Sequence, residues 1–155
     1  MPSAAIATRA YVEHFGAVAD PSQYEGKALL LNTSGQAQCA ELVKQLAHAP
    51  RTQPDNWKKG DELTPAYVAA LQVGTPIASG WNAAGFYPNG STGQHAGLFA
   101  GALRDASGVV VGFYIIEQHT RADSILKRSV YFDPAAHKKP TTYFHNGRAY
   151  ATIQW

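Results

Sequence analysis

A single cysteine, Cys39, stands in a chain of 155 residues, so no intramolecular disulfide can staple the fold. A zinc site would have to be built from histidines and carboxylates instead. Charge is also scarce: Asp, Glu, Lys and Arg make up 15% of the residues, and 13 basic against 11 acidic side chains leave a net charge of +2. That balance is too mild, and the basic residues too scattered, for a nucleic-acid binder that relies on phosphate neutralisation. Long hydrophobic runs are missing. Stretches such as Val109-Val110-Val111 and Tyr114-Ile115-Ile116 fall far short of the roughly 20 apolar residues a membrane span needs. No secretory signal peptide is expected either, since the first residues carry Arg9, Glu13 and His14 and no continuous apolar stretch. No two of the six histidines have the His-x3-His spacing of a helical zinc site, and no Gly-x-Gly-x-x-Gly or P-loop pattern occurs. Neither a metal nor a cofactor is expected.

What is present is an apolar fraction of 45%, enough for a core, in a chain of the length of one domain. We expect a single domain over residues 1–155. Ala7, Tyr11, Val12, Phe15 and Val18 have helical spacing, so a helix is expected from Ala4 to Val18, broken by Asp20-Pro21-Ser22. Cys39, Leu42, Val43, Leu46 and Ala47 form one apolar face of a second helix, which starts near Ser34 or Gly35 and ends at Pro50. Cys39 then lies at or close to that helix's N-terminus, on its buried side. Residues 50–65 read as a loop, and Val73 to Ala78 as a strand that Pro76 assigns to an edge or a bulge. Residues 81–93 read as a long surface loop. His95 to Leu103 and Val109 to Gln118 read as strands joined by a hairpin at 104–108, with a further strand over 125–132. A last hairpin is expected over 143–153 through Asn146-Gly147. Helices followed by an antiparallel sheet give an α+β domain.

The chemistry suggested by this layout is thiolate chemistry. A helix N-terminus lowers a thiol pKa and offers free N–H groups to an oxyanion. A histidine within reach takes the thiol proton and later returns it to a leaving amine, and a third polar group orients the imidazole. Cys39 opens a helix, and His95 opens a strand after a Gly-Ser-Thr-Gly loop. The end of the next strand, Glu117-Gln118, folds back beside His95. A regular hairpin centred between Ala106 and Ser107 puts Gln118 opposite His95, whereas a one-residue bulge in the loop puts Glu117 there. Register alone leaves both open. Taken singly, Cys39 also has the look of a buried structural thiol.

Ser34-Gly35-Gln36-Ala37-Gln38-Cys39-Ala40-Glu41-Leu42-Val43 resembles the cysteine-bearing helix start of papain-like cell-wall amidases of the CHAP and NlpC type. Gly93-Gln94-His95-Ala96-Gly97-Leu98-Phe99 resembles the histidine strand of those families, and Ile115-Ile116-Glu117-Gln118 the strand that supplies their third polar residue. From about residue 24 to about residue 132 the layout is similar to the small amidase effectors of type VI secretion. The resemblance implies a papain-like α+β fold with N-terminal helices, the catalytic cysteine at a helix N-terminus packed on an antiparallel sheet. It implies hydrolysis of an amide in the stem peptide or cross-link of peptidoglycan, with Cys39 as nucleophile, His95 as general base and Glu117 as its partner. Gln118 is the other candidate for that third position, and Gln38 or Gln36 for an amide on the oxyanion side. The implied setting is an antibacterial toxin made in the cytoplasm, carried by a secretion apparatus into a rival's periplasm, and neutralised at home by an immunity protein. The competing expectation is a non-catalytic wall- or protein-binding module, with Trp57, Trp81, Tyr87 and Tyr143 lining a groove around an inert cysteine.

Overall fold

The computed structural model describes residues 16–47, 54–88, 90 and 93–155. Six strands form one antiparallel sheet: β1 (Lys58–Glu62), β2 (Pro76–Ser79), β3 (His95–Arg104), β4 (Val110–Glu117), β5 (Leu126–Tyr131) and β6 (Tyr150–Gln154), in the spatial order β1-β6-β2-β3-β4-β5. Among the described residues two α-helices accompany it, α1 (Cys39–Leu46) and α2 (Pro65–Ala70). The class is the expected α+β, and a cysteine-headed helix packed on an antiparallel sheet is compatible with a papain-like amidase.

α1 forms where the apolar spacing predicts it. Leu42 and Val43 are fully buried against Leu98, Ile116 and Ile153 on one face of the sheet. Glu41 in the first turn and Lys44 in the last complement the helix dipole. The helix starts after Gln38, later than Ser34 or Gly35, and Gln38 gives it no side-chain cap. The opposite sheet face buries Ile77, Phe99, Phe113, Ile115 and Tyr150 against Leu63 and against Val68 of α2.

Several sequence expectations are corrected. Residues 4–15 lie outside the described residues, and 16–18 are not helical; instead Val18 N–H donates to Gly74 O at 3.0 Å. The proposed helix end at Pro50 also lies outside them. Within 54–65, read as loop, the chain forms β1, whose Lys-Lys-Gly-Asp-Glu sequence has low strand propensity. The edge position explains the charge, which protects an exposed ladder. α2 follows directly, with Pro65 in its first turn and Thr64 Oγ1 accepting from Tyr67 N at 3.1 Å. β2 is an interior strand, not an edge. Pro76 is tolerated because it is the strand's first residue. Among the described residues of the loop over 81–93, Tyr87 is buried as an anchor. No hairpin turns at Asn146-Gly147. Tyr143–His145 and Gly147–Ala149 are 3-10 turns, and β6 alone inserts between β1 and β2.

The β3–β4 register bears directly on the site. Asp105 N–H donates to Val109 O at 2.9 Å and Gly108 N–H to Asp105 O at 3.0 Å, with Gly108 at φ +88°. This is a three-residue loop with a left-handed glycine, not a two-residue turn. Register shifts follow within the strands, between Phe99 and Ala102 and between Leu103 and Arg104. Leu98 then pairs with Ile116, so the next residue, Glu117, comes level with Gly97. It therefore shares a face with His95, two residues away, whereas Gln118 points to the other face. Gly97 is required by this close pairing, since a Cβ there would collide with the Ile115 side chain and the Ile116 carbonyl.

Candidate active site

Cys39 is the first residue of α1 and His95 the first of β3, so their side chains meet at one end of the sheet. The Cys39 sulfur takes three neighbours: the His95 ring, the Ala96 backbone N–H and the Tyr87 hydroxyl, the last at 3.5 Å. His95 is 8% exposed and Glu117 2%. His95 Nε2 lies 2.6 Å from Glu117 Oε1. An ionised carboxylate only accepts, so Nε2 carries a hydrogen and the other ring nitrogen, Nδ1, is left for Cys39.

Arg128, on β5, holds the far side of Glu117. Its Nε donates to Oε2 at 2.6 Å and its Nη2 to Oε1 at 2.9 Å, and Nη2 also donates to the Phe144 carbonyl at 2.8 Å. Tyr150 donates to that same carbonyl at 2.9 Å. β4–β5 pairing brings Arg128 there: Glu117 is level with Leu126, and Arg128 is two residues further along the same face.

The charges in this chain of contacts reinforce one another. Burial would raise the Glu117 carboxyl, but the hydrogen bonds and positive charges of His95 and Arg128 hold it down at about 2. Burial would likewise deprotonate the His95 imidazolium, yet Cys39 and Glu117 push it up to about 9. Burial would raise the Cys39 thiol too, and His95, Tyr87 and the Ala96 N–H outweigh it and bring the thiol below its ordinary value. The three directions together favour a thiolate–imidazolium pair at neutral pH. Burial and the adjacent sulfur push the Tyr87 phenol up, so it stays a donor.

Cys39, His95, Glu117 and Arg128 line a cavity of about 470 Å³, together with Gln38, Tyr143 and His145. Burial and the Arg128 charge lower the His145 pKa, which keeps that ring neutral at pH 7. Among the described residues no three His, Cys, Asp or Glu side chains converge on a metal-sized site.

Of the remaining sequence candidates, Gln38 reaches the cavity wall and Gln118 and Gln36 do not. Gln118 does not reach His95. It is fully buried, accepts from Leu30 N at 2.8 Å, and donates to the Leu30 and Gln38 carbonyls at 2.8 Å each. It thus straps the residue before Cys39 to the sheet. Gln38 has an exposed side chain on the cavity wall, while Gln36 bonds Asn32 and Gln38 outside it. The aromatic groove of the competing expectation does not form. Trp57 and Tyr87 are buried core residues 5.3 Å apart, Trp81 packs edge-on against Tyr87, and only Tyr143 reaches the cavity.

Arg128 and the contact of Tyr87 with Cys39 were not anticipated from the sequence. The signal for Arg128 was a cation one strand over from a buried acid; for Tyr87 it was an aromatic alone among Gly, Asn and Pro.

A family model described as domesticated amidase effector 2 matches residues 6–153, nearly the whole chain. No curated protein and no solved structure matches it.

Proposed function

The chain belongs to the family of domesticated amidase effector 2, and on that premise we propose that it hydrolyses an amide in the stem peptide or cross-link of peptidoglycan through a cysteine thiolate. The observation that carries this reading is the unbroken run of contacts from Cys39 through His95 and Glu117 to Arg128. The Cys39 thiolate attacks the amide carbonyl, and the N–H groups at the uncapped start of α1 receive the oxyanion. Gln38, on the cavity wall beside them, is the oxyanion-side amide. His95 passes its Nδ1 proton to the leaving amine, which departs and leaves a thioester on Cys39. Water then attacks the thioester with His95 taking its proton, releasing the acid and restoring the thiolate–imidazolium pair. Glu117 keeps the ring in the tautomer that presents Nδ1 to sulfur and stabilises its charged form.

The biological setting that fits is delivery by a secretion apparatus into the periplasm of a target bacterium, with an immunity protein covering the cleft in the producer. Among the described residues no helix is long and apolar enough to cross a membrane.

Digestion of purified sacculi, read by mass spectrometry of the released muropeptides, tests the proposal. New amine and carboxyl termini are expected with the wild type and none with Cys39→Ala. His95→Ala is expected to lose about 10²–10⁴-fold in rate. A Cys39→Ala protein with an unchanged circular dichroism spectrum and full hydrolysis would remove the mechanism.

A further inference from the structure

The 3-10 turn Tyr143–His145 forms one wall of the cleft. Its middle residue turns to the catalytic line: the Phe144 ring centre lies 6.1 Å from that of His95 and 5.7 Å from the Arg128 guanidinium carbon. The Phe144 carbonyl accepts from Arg128 Nη2 at 2.8 Å and from the Tyr150 hydroxyl at 2.9 Å, so the turn is tied to the sheet at its midpoint. Tyr143 and His145 flank that tie, and both line the cleft. Thr142 Oγ1 lies 2.7 Å from His145 Nδ1, which fixes the ring and leaves Nε2 as its unused nitrogen. Among the described residues no hydrogen bond engages the Tyr143 hydroxyl or His145 Nε2, and neither atom is sealed from solvent. The Tyr143 phenol is near enough to that of Tyr87 to act on it electrostatically, and the Tyr87 hydroxyl is 3.5 Å from the Cys39 sulfur. The wall therefore stands on the sulfur side of the cleft.

We propose that Tyr143 and His145 are substrate-binding residues, which hydrogen-bond the main-chain peptide groups flanking the amide cut at Cys39. The proposal rests on the peptidoglycan amidase reading given above. Apart from Cys39, His95, Glu117 and Arg128, whose charges compensate in pairs, no Asp, Glu, Lys or Arg among the described residues lines the cleft. What the wall offers is a hydroxyl and a neutral imidazole, each able to donate and to accept. Their complement is the N–H and C=O of an uncharged peptide chain. A turn already fixed at its centre loses little freedom when the peptide binds, so its contacts go into orientation at the sulfur. The guanidinium that keeps Glu117 ionised thus also holds the surface that seats the substrate.

The test separates binding from turnover. Cys39→Ala protein is titrated calorimetrically with purified cross-linked muropeptides, alone and combined with Tyr143→Phe or His145→Ala. Each added substitution is expected to weaken binding about fivefold, the worth of one neutral hydrogen bond. The loss should persist as salt is raised, because no ion pair is removed. Tyr143→Phe keeps the ring and deletes only the free hydroxyl, so it leaves the fold intact. Iodoacetamide alkylation of Cys39 in the two single variants should run at the wild-type rate. Unchanged affinity in either variant, no measurable binding by the Cys39→Ala protein, or a loss that salt erases overturns the assignment. So does alkylation that slows in step with affinity, which would place the turn's action on the thiolate instead of the substrate. Hydrolysis of the same muropeptides by the wild type is read in parallel. Affinity that falls in both variants without Cys39-dependent cleavage removes the amidase reading and leaves the binding wall standing. Cleavage with undiminished affinity in the variants does the reverse.

Discussion

Replacing Glu117 by Gln is the most informative single change, because it keeps the shape and removes one charge at the centre of the site. Both carboxylate oxygens are in use, Oε1 by His95 and Arg128 and Oε2 by Arg128. The amide has one oxygen, so its NH₂ must face a donor on one side or the other. Arg128 is left as a largely buried cation without its counter-charge. Removing one partner of a buried ion pair costs about 3–5 kcal/mol, and we expect a loss of stability of that order. The carboxyl sits at about 2 against an ordinary 4.5, a gap worth roughly 3 kcal/mol of folding free energy. A depressed carboxyl pKa stabilises the fold above 4.5, and that stabilisation is lost as pH falls through 2. The stability difference between wild type and Glu117→Gln should therefore be full above pH 4.5 and close towards pH 2. On the catalytic side, His95 is lifted to about 9 by Cys39 and Glu117 together. Without the carboxylate the ring loses its proton earlier, so the alkaline limb of kcat/KM should move down by about one pH unit or more. The assays are urea unfolding at several pH values and a kcat/KM profile on muropeptides. An alkaline limb that stays in place would refute the assignment of Glu117 as the partner of His95.

Gln118→Ala is expected to behave oppositely. It strands three backbone groups at Leu30 and Gln38, each costing about 1–3 kcal/mol when buried and unpaired, so the melting temperature falls while the alkaline limb stays put. A shifted limb in that variant would mean that Gln118 acts on the imidazole after all. Tyr87→Phe removes a donor to the sulfur, so the pH midpoint of iodoacetamide alkylation at Cys39 should rise. An unchanged midpoint would show that the hydroxyl does not stabilise the thiolate.

The parts of the fold that could be read from the sequence were those in which side-chain period and burial coincide. α1 shows its apolar face at Cys39, Leu42, Val43 and Leu46, and β3 and β4 are long and apolar enough to stand out. β1 was invisible because an edge strand that must repel other edges is written in lysine, glycine and acid. β6 was misplaced because Asn146-Gly147 has hairpin chemistry, yet Asn146 caps a 3-10 turn, its side chain accepting from Arg148 N at 3.0 Å. In the site, the choice between Glu117 and Gln118 hung on one residue of register. A turn longer than the simplest one, followed by two compensating shifts in the strands, set the parity. Irregularities of that kind depend on how β3 and β4 pack, and local sequence does not announce them.

Arg128 carries the physical argument past the three residues that spacing brought together. A carboxylate as buried as Glu117, facing only an imidazole, would be pushed by desolvation towards its neutral form. A neutral acid cannot hold His95 charged, and an uncharged His95 cannot hold Cys39 as thiolate. The bidentate guanidinium breaks that regression, because it keeps the carboxylate ionised without drawing on the histidine. Thiolate, imidazolium, carboxylate and guanidinium then alternate in sign along one line, and the buried charges compensate in pairs. β5 is thus part of the site although it contributes none of the reacting atoms.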